Sequence, residues 1–269
     1  MDTEVLFIRY GSIGQQVAEF TKRYFPEIVK NTSGFKAKNY KQALTDAFLG
    51  LDKKLESEEG KALLAEINKT TTSRDAPMQS ETEDLANCIG CTACVALITK
   101  TEIIVANAGD SRCVLSKNGT AMNMSEDHKP DLEEEKSRIE KAGGYVEDNR
   151  VNGVLSLSRS FGDLDYKQSK KLPPECQMIT SYPDVKIEKI TSESDFLIIA
   201  CDGVWDCMRS QEAVDYVKES LVKFGFKPEK PSKLSKILEA LMDKIIAPDI
   251  ASNSISSTTV IIYRRSRLR

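Results

Sequence analysis

The sequence predicts an α+β fold in which antiparallel β-sheets carry helices packed on their outer faces. Three observations predict it. Short β-branched stretches cluster between pairs of amphipathic helical stretches, the two kinds do not alternate in the regular β-α-β manner of a parallel sheet, and no internal repeat is present. A chain of 269 residues, 40% of them hydrophobic, can bury roughly three quarters of its unfolded surface. One domain over residues 1–269 is therefore expected.

The elements follow in order. Val5–Ile8 has the apolar texture of a short strand. Val17, Phe20, Phe25 and Ile28 then recur near helical spacing, and Tyr40–Leu55 sets Ala43, Leu44, Ala47, Phe48, Leu51 and Leu55 on one stripe, so two long amphipathic helices are expected. Lys69–Glu83, rich in Thr, Ser and Asp, reads as a surface loop. A meander comes next: strands at Cys91–Lys100, Glu102–Asn107 and Arg112–Ser116, an Asn118-Gly119 hairpin turn, and a strand at Ala121–Met124. Asp131 with Glu134 forms a capping box before a helix that runs to Ala142 and stops at Gly143-Gly144. Further strands are expected near Tyr145–Val146, Gly153–Leu157, Met178–Ser181 and Phe196–Cys201. Ser210 caps a helix to about Phe224, Ser235–Ala247 forms another, and Thr258–Tyr263 closes as a β-branched strand.

Composition excludes several classes. The longest apolar runs, such as Phe196–Cys201 and Ile245–Ala247, fall far below the ~18 consecutive apolar residues of a membrane-spanning helix. The acidic start Met1-Asp2-Thr3-Glu4, with Arg9 breaking the apolar stretch, resembles neither a secretory signal nor a transit peptide, so a cytoplasmic or nuclear location is expected. Lys and Arg (38) nearly balance Asp and Glu (41) for a net charge of -3. That balance gives no field to draw the surface onto nucleic acid or anionic lipid, and a monomer is expected. The seven cysteines read as reduced, packed thiols. Cys88, Cys91 and Cys94 have a metal-like spacing, but Cys91 and Cys94 lie in a strand pattern that turns them to opposite faces. The basic tail Arg264–Arg269 reads as a solvated terminus, with docking or targeting the sharper alternative.

Three carboxylates sit where apolar strands stop. Asp110 follows Ile103–Gly109, Asp202 follows Phe196–Cys201, and Asp206 lies four residues further. Each alone is a common turn former. A rigid strand delivering an Asp into a Gly-containing loop is also how a fold holds hard oxygen donors for Mg²⁺ or Mn²⁺.

Five segments appear in order: Ala106-Asn107-Ala108-Gly109-Asp110-Ser111-Arg112, Asp127-His128-Lys129-Pro130, Arg150-Val151-Asn152-Gly153, Leu157–Asp163, and Ala200-Cys201-Asp202-Gly203-Val204-Trp205-Asp206. With Gly90-Cys91-Thr92-Ala93 they resemble the metal-dependent protein phosphatase 2C family of serine/threonine phosphatases. Residues 15–263 carry the resemblance, 1–14 diverge and 264–269 form the tail. The resemblance implies a sandwich of two antiparallel sheets between helix pairs, lacking the first strands, with a binuclear Mg²⁺/Mn²⁺ site at one end. It implies direct attack of metal-activated water on phosphoserine or phosphothreonine proteins, since paired cations acidify water and neutralise developing charge. By the same resemblance Asp202, Asp206 and Asp110 match metal ligands, with the Gly11 backbone as a further donor. Asp127, His128, Arg150, Arg159 and Asp163 match substrate-side or structural positions.

The chain also departs from the family. Where the resemblance implies Asp-Gly-His-Gly-Gly, with a bridging Asp and a proton-donating His, this sequence reads Tyr10-Gly11-Ser12-Ile13-Gly14. Tyr10 replaces the bridging acid and Ser12 the histidine. The upstream Arg and Glu-Asp pair of the family have no counterpart, which would also expose a sheet edge. The family's last Asp falls in Ile255-Ser256-Ser257, which has no carboxylate. Neutral side chains cannot offset the repulsion of two close cations, so impaired hydrolysis is expected. A pseudophosphatase that binds phosphoproteins or kinases is the alternative, and a cysteine-based redox or iron–sulfur protein a third. Gly11-Ser12-Ile13-Gly14 lacks the Lys-Ser/Thr of a phosphate loop and reads as a turn.

Overall fold

The computed structural model describes residues 4–10, 14–71, 85–225, 232–246 and 260–263, with side chains for all of these except 4–10, 232, 233 and 246. The elements run β1 (Glu4–Tyr10), α1 (Gln15–Asn31), α2 (Ser33–Lys36), α3 (Tyr40–Glu56), α4 (Glu58–Thr71), α5 (Leu85–Cys88), β2 (Gly90–Ile98), β3 (Glu102–Ala108), β4 (Arg112–Lys117) and β5 (Thr120–Asn123). They continue α6 (Glu133–Lys141), β6 (Val146–Glu147), β7 (Arg150–Val151), β8 (Phe161–Gly162), β9 (Asp184–Lys189), β10 (Ser194–Ala200), α7 (Asp202–Trp205), α8 (Ser210–Lys223), α9 (Ser232–Ile246) and β11 (Val260–Tyr263).

Two antiparallel sheets form the centre. One has the order β1-β2-β3-β9, with β8 pairing the start of β2, and the other the order β11-β10-β4-β5. Period-two alternation builds the layers. On β2, Ala93, Val95 and Leu97 face helices α1, α3 and α4, packing with Val17, Phe20, Phe48 and Leu51. Cys94, Ala96 and Ile98 face the other way and meet Cys113, Leu115, Leu197 and Ile199 of the second sheet. On β10, Phe196, Ile198 and Ala200 face α8 and α9, packing with Val214, Val217, Ile237 and Leu241. Both central strands are thus buried on two faces, which is why they read as continuous apolar runs. The predicted α+β sandwich is observed. Cys91 joins the helix-side core and Cys94 the inter-sheet core, as the strand pattern required.

Several elements differ from the sequence reading. The first third carries a third long helix, α4, which buries Leu64 and Ile67 and runs through Lys69 to Thr71; the rest of the expected loop lies outside the described residues. Helix α6 starts at Glu133 after Leu132, with no side-chain cap, so the Asp131/Glu134 capping box is absent. Its three leading glutamates favour the N-terminal dipole instead. The stop at Gly143-Gly144 holds: Gly143 has φ 93° and Gly144 N–H donates to Ile139 O at 3.0 Å. Arg209, not Ser210, precedes α8, its N–H donating to Glu212 Oε2 at 2.9 Å. The strands expected at 153–157 and 178–181 reduce to isolated bridges, Val151 to Leu155 and Arg159 to Thr180. The strands missed are the two-residue β7 and β8 and, longest, β9, whose Asp-Val-Lys-Ile-Glu-Lys sequence is polar because it lines a sheet edge.

β1, the strand expected near Val5–Ile8, pairs with β2 over seven residues, from Glu4 opposite Ile98 to Tyr10 opposite Thr92, and is the edge strand of its sheet among the described residues. No helix among the described residues is long and apolar enough to cross a membrane.

Candidate functional site

One end of the sandwich gathers the ends of β1, β3 and β10 and the starts of β2 and β4. Tyr10 lies opposite Thr92, Ala93 opposite Ala108, and Arg112 opposite Ala200. Residues Gly109-Asp110-Ser111 carry the chain from the first sheet into the second at this end, and Asp202 leaves β10 beside them. Thr92 Oγ1 lies 3.2 Å from Ser111 Oγ, tying the two sheets together here.

The Gly109 turn is built from its own side chains. Gly109 has φ +122°, and a Cβ there would meet the Thr92 side chain at 2.4 Å, so only glycine fits. Its carbonyl accepts from Asn107 Nδ2 at 2.9 Å and from His128 N–H at 3.0 Å, while its own N–H donates to His128 Nδ1 at 3.1 Å. Asn107 Nδ2 also donates to Glu126 O at 2.9 Å, leaving the buried Asn107 Oδ1 without a partner. An orphaned acceptor of that kind costs about 1–3 kcal/mol, so the amide is turned to serve the loop.

Asp110 is buried and accepts from Lys129 Nζ at 2.6 Å. Burial opposes the Lys129 charge, yet Asp110, then Asp206 and Asp127, raise its pKa. Asp202 opens α7; its Oδ1 accepts from the Gly203 N–H at 2.8 Å, and its carbonyl accepts from Asp206 N–H at 2.8 Å. Burial first, then the Asp110 charge, then Asp206 push the Asp202 carboxyl up to about 6, against the Gly203 amide and Lys129. The three predicted carboxylates therefore share one electrostatic neighbourhood, with Asp206 at its exposed edge. Three aspartates have the hard-oxygen chemistry of a Mg²⁺ or Mn²⁺ site. Among the described residues, however, no group of three or more His, Cys, Asp or Glu is placed to hold a metal ion, and Lys129 already neutralises Asp110. As placed, these residues alone do not fit a divalent cation. Gly11, Ser12, Ile255–Ser257 and the tail 264–269 lie outside the described residues.

The substrate-side candidates divide. Arg159 is half-buried in an ion-pair network: it binds Glu135 Oε1 through Nη2 at 2.6 Å and Asp184 Oδ1 through Nη1 at 2.8 Å. Arg138 Nη1 adds 2.7 Å to Glu135 Oε2, and Ser158 Oγ donates to the same oxygen. Burial would raise the Glu135 carboxyl, but Arg159 and Arg138 hold it down at about 2. His128 Nε2 reaches Asp184 Oδ2 at 3.1 Å, and with Arg159 it holds Asp184 well below the usual carboxylate range. Asp163 is structural: it has φ 48°, accepts from Ser160 Oγ at 2.5 Å and packs on Gly90, while burial raises its pKa. Arg150 stands on the β6–β7 ladder and donates to Val154 O at 2.6 Å, taking no part in the cluster.

Sequence reasoning missed Lys129, Glu135, Arg138 and Asp184 as members of this end. Arg112 is a further one, paired with Asp127 at 2.8 Å and lying 5.2 Å over the Trp205 ring. Lys129 stood inside a quoted motif; Glu135 was hidden in an acidic run that reads as a solvated helix start.

An α+β sandwich with aspartates at the converging strand ends is the arrangement that the sequence's resemblance to metal-dependent phosphatases implies. A family model described as protein phosphatase 2C matches residues 2–254. A "Probable protein phosphatase 2C 3" of Paramecium tetraurelia is 41% identical, over 97% of this chain and 83% of its own length. A "Probable protein phosphatase 2C 21" of Arabidopsis thaliana is 40% identical, over 90% of this chain and 73% of its own. The crystal structure of a serine-threonine phosphatase 2C from Toxoplasma gondii superposes with a TM-score of 0.72 at 19% identity, covering 97% of this chain and 84% of that one. The chain belongs to the protein phosphatase 2C family.

Proposed function

We propose that this chain is a Mg²⁺/Mn²⁺-dependent serine/threonine protein phosphatase of the 2C type whose hydrolysis of phosphoserine and phosphothreonine proteins is impaired. One observation carries the reading. At the end of the sandwich where Asp110 and Asp202 converge, the strand that enters beside them ends in Tyr10 opposite Thr92, a neutral residue where the family resemblance calls for a bridging acid. Asp110, Asp202 and Asp206 remain, so the negative end persists while its anionic complement does not. Loss of a general acid typically lowers a rate by about 10²–10⁴, and Ser12 in the histidine's place predicts a loss on that order. Phosphoproteins are the partners, and the cytoplasm or nucleus is the location.

A second reading, a non-hydrolytic binder of phosphoproteins, is favoured by the Lys129–Asp110 pair at 2.6 Å, which takes one of the three aspartates out of reach of a cation. Assay of the purified chain on a phosphothreonine peptide with Mn²⁺, before and after Asp202→Ala, separates the two. Slow turnover abolished by the substitution supports the first reading. Phosphopeptide retention without turnover supports the second, and brisk turnover refutes impairment.

A further inference from the structure

His128 is the only histidine of the chain, and both of its ring nitrogens are committed. Nδ1 accepts the Gly109 N–H at 3.1 Å, so Nδ1 carries no proton. The ring is then neutral with its hydrogen on Nε2, and that N–H donates to Asp184 Oδ2 at 3.1 Å. No other protonation state satisfies both contacts, since a proton on Nδ1 would face the Gly109 N–H head-on. The His128 backbone adds a second hold, its N–H donating to Gly109 O at 3.0 Å. The ring is buried. Beyond Asp184 the contacts pass to Arg159 at 2.8 Å and on to Glu135 at 2.6 Å.

We propose that His128 is a positioning residue: its imidazole, fixed as the Nε2–H tautomer between Gly109 and Asp184, holds the Ala108–Gly109 peptide while its backbone N–H holds the Gly109 carbonyl, and the two holds together aim the Asp110 carboxylate at the site. Two features make this more than core packing. The residue it clamps is a glycine at φ +122°, which has more backbone freedom than any other residue type and so gains most from being held on both sides. The carbonyl held by the His128 backbone N–H leads directly into Asp110, whose charge bears on both Lys129 and Asp202. His128 neither touches substrate nor transfers a proton in this role. Asp184 anchors the ring, and Arg159 ties Asp184 in turn to Glu135 on α6. The inference rests on Asp110 belonging to the site described above, but its test needs no turnover.

Nitrogen-resolved NMR of the imidazole in the unmodified chain reads the tautomer directly, and the Nε2–H form is expected. His128→Asn keeps an acceptor near Nδ1 and gives up the Asp184 contact; His128→Gln keeps a donor near Nε2 and gives up the Gly109 contact. Amide hydrogen exchange at Gly109 should stay slow in the Asn variant and quicken by roughly tenfold in the Gln variant, and the Asp110 amide resonance should move only in the latter. Equal exchange in the two variants at similar thermal stability overturns the proposal. So does an Nδ1–H or doubly protonated ring near neutral pH, a result that stands even where neither variant folds. Brisk phosphopeptide hydrolysis would refute impairment and leave these measurements untouched, so the two readings fail separately.

Discussion

Glu135→Gln removes one charge from a site where every neighbour expects it. Its side chain is 4% exposed and faces Arg159 at 2.6 Å and Arg138 at 2.7 Å, each of those 11% exposed. Glutamine keeps the shape but not the charge. Arg159 retains Asp184, whereas Arg138 keeps only the carbonyls of Ser158, Gln177 and Met178. The linkage arithmetic gives the size. The carboxyl is lowered from 4.5 to about 2, and at about 1.36 kcal/mol per unit that difference is worth roughly 3 kcal/mol of stability. Breaking one partner out of a buried pair costs about 3–5 kcal/mol by mutational precedent, which agrees. The sign is that of a depressed acid: the contribution is complete above 4.5 and is lost as pH falls toward 2. Urea unfolding of both proteins should therefore show a gap of about 3 kcal/mol near neutrality that shrinks to roughly 1 kcal/mol near pH ~3. A gap of equal size at both pH values would refute the argument, because the loss would then come from packing rather than ionisation.

Gly109→Ala places a Cβ at 2.4 Å from Thr92 at a φ of +122°; a loss of about 2 kcal/mol or more is expected by thermal or urea unfolding. Phe48→Ala empties the centre of an aromatic cluster in which Phe48 lies 5.3 Å from Phe25 and 4.9 Å from Phe161; urea unfolding should record a loss of about 3–5 kcal/mol. Asp110→Asn removes the second cause of the raised Asp202 carboxyl, so carboxyl-resolved NMR titration should find it below about 6 yet still above 3.8, burial being the first cause. An acid raised in the folded state costs stability as pH climbs from 3.8 to about 6, so the same variant should also soften that loss.

The sandwich was legible because its central strands announce themselves. Phe196–Cys201 and Cys91–Ile98 are apolar on both faces, and the helices on either side repeat at the helical period. The Asn118-Gly119 turn was legible for a local reason, with φ of 51° and 77° that those two residue types accept readily. β9 was not. An edge strand with Asp184, Lys186, Glu188 and Lys189 gains its place from ladder bonds to β3, and backbone pairing leaves no mark in hydropathy. Helix α4 failed for the opposite reason: Leu64 and Ile67 are its only large buried side chains, too thin a stripe to separate from the polar segment after it.

The site divides along the same line. Aspartates at strand ends are visible in one dimension, because the strand that delivers them is contiguous with them. Their environment is not. Lys129 lies 19 residues from Asp110 and Asp184 lies 56 from His128, so the charge that balances the first and the contact that orients the second exist only after the two sheets close on each other. That closure also decides what the missing acid means. With Tyr10 brought opposite Thr92 and Asp202 pushed up to about 6 by burial and Asp110, Asp110, Asp127, Asp202 and Asp206 face the two cations Lys129 and Arg112, and this corner of the sandwich stays net negative. An acidic end in that state resists further anions, a phosphate among them, until positive charge is supplied. A divalent cation and a basic segment of a bound phosphoprotein are the two sources, and the second needs no hydrolysis. Phosphopeptides with and without flanking lysines, titrated in the presence of a chelator, distinguish them. Binding that depends on the lysines favours the non-hydrolytic reading, and binding only after Mn²⁺ is restored favours the phosphatase.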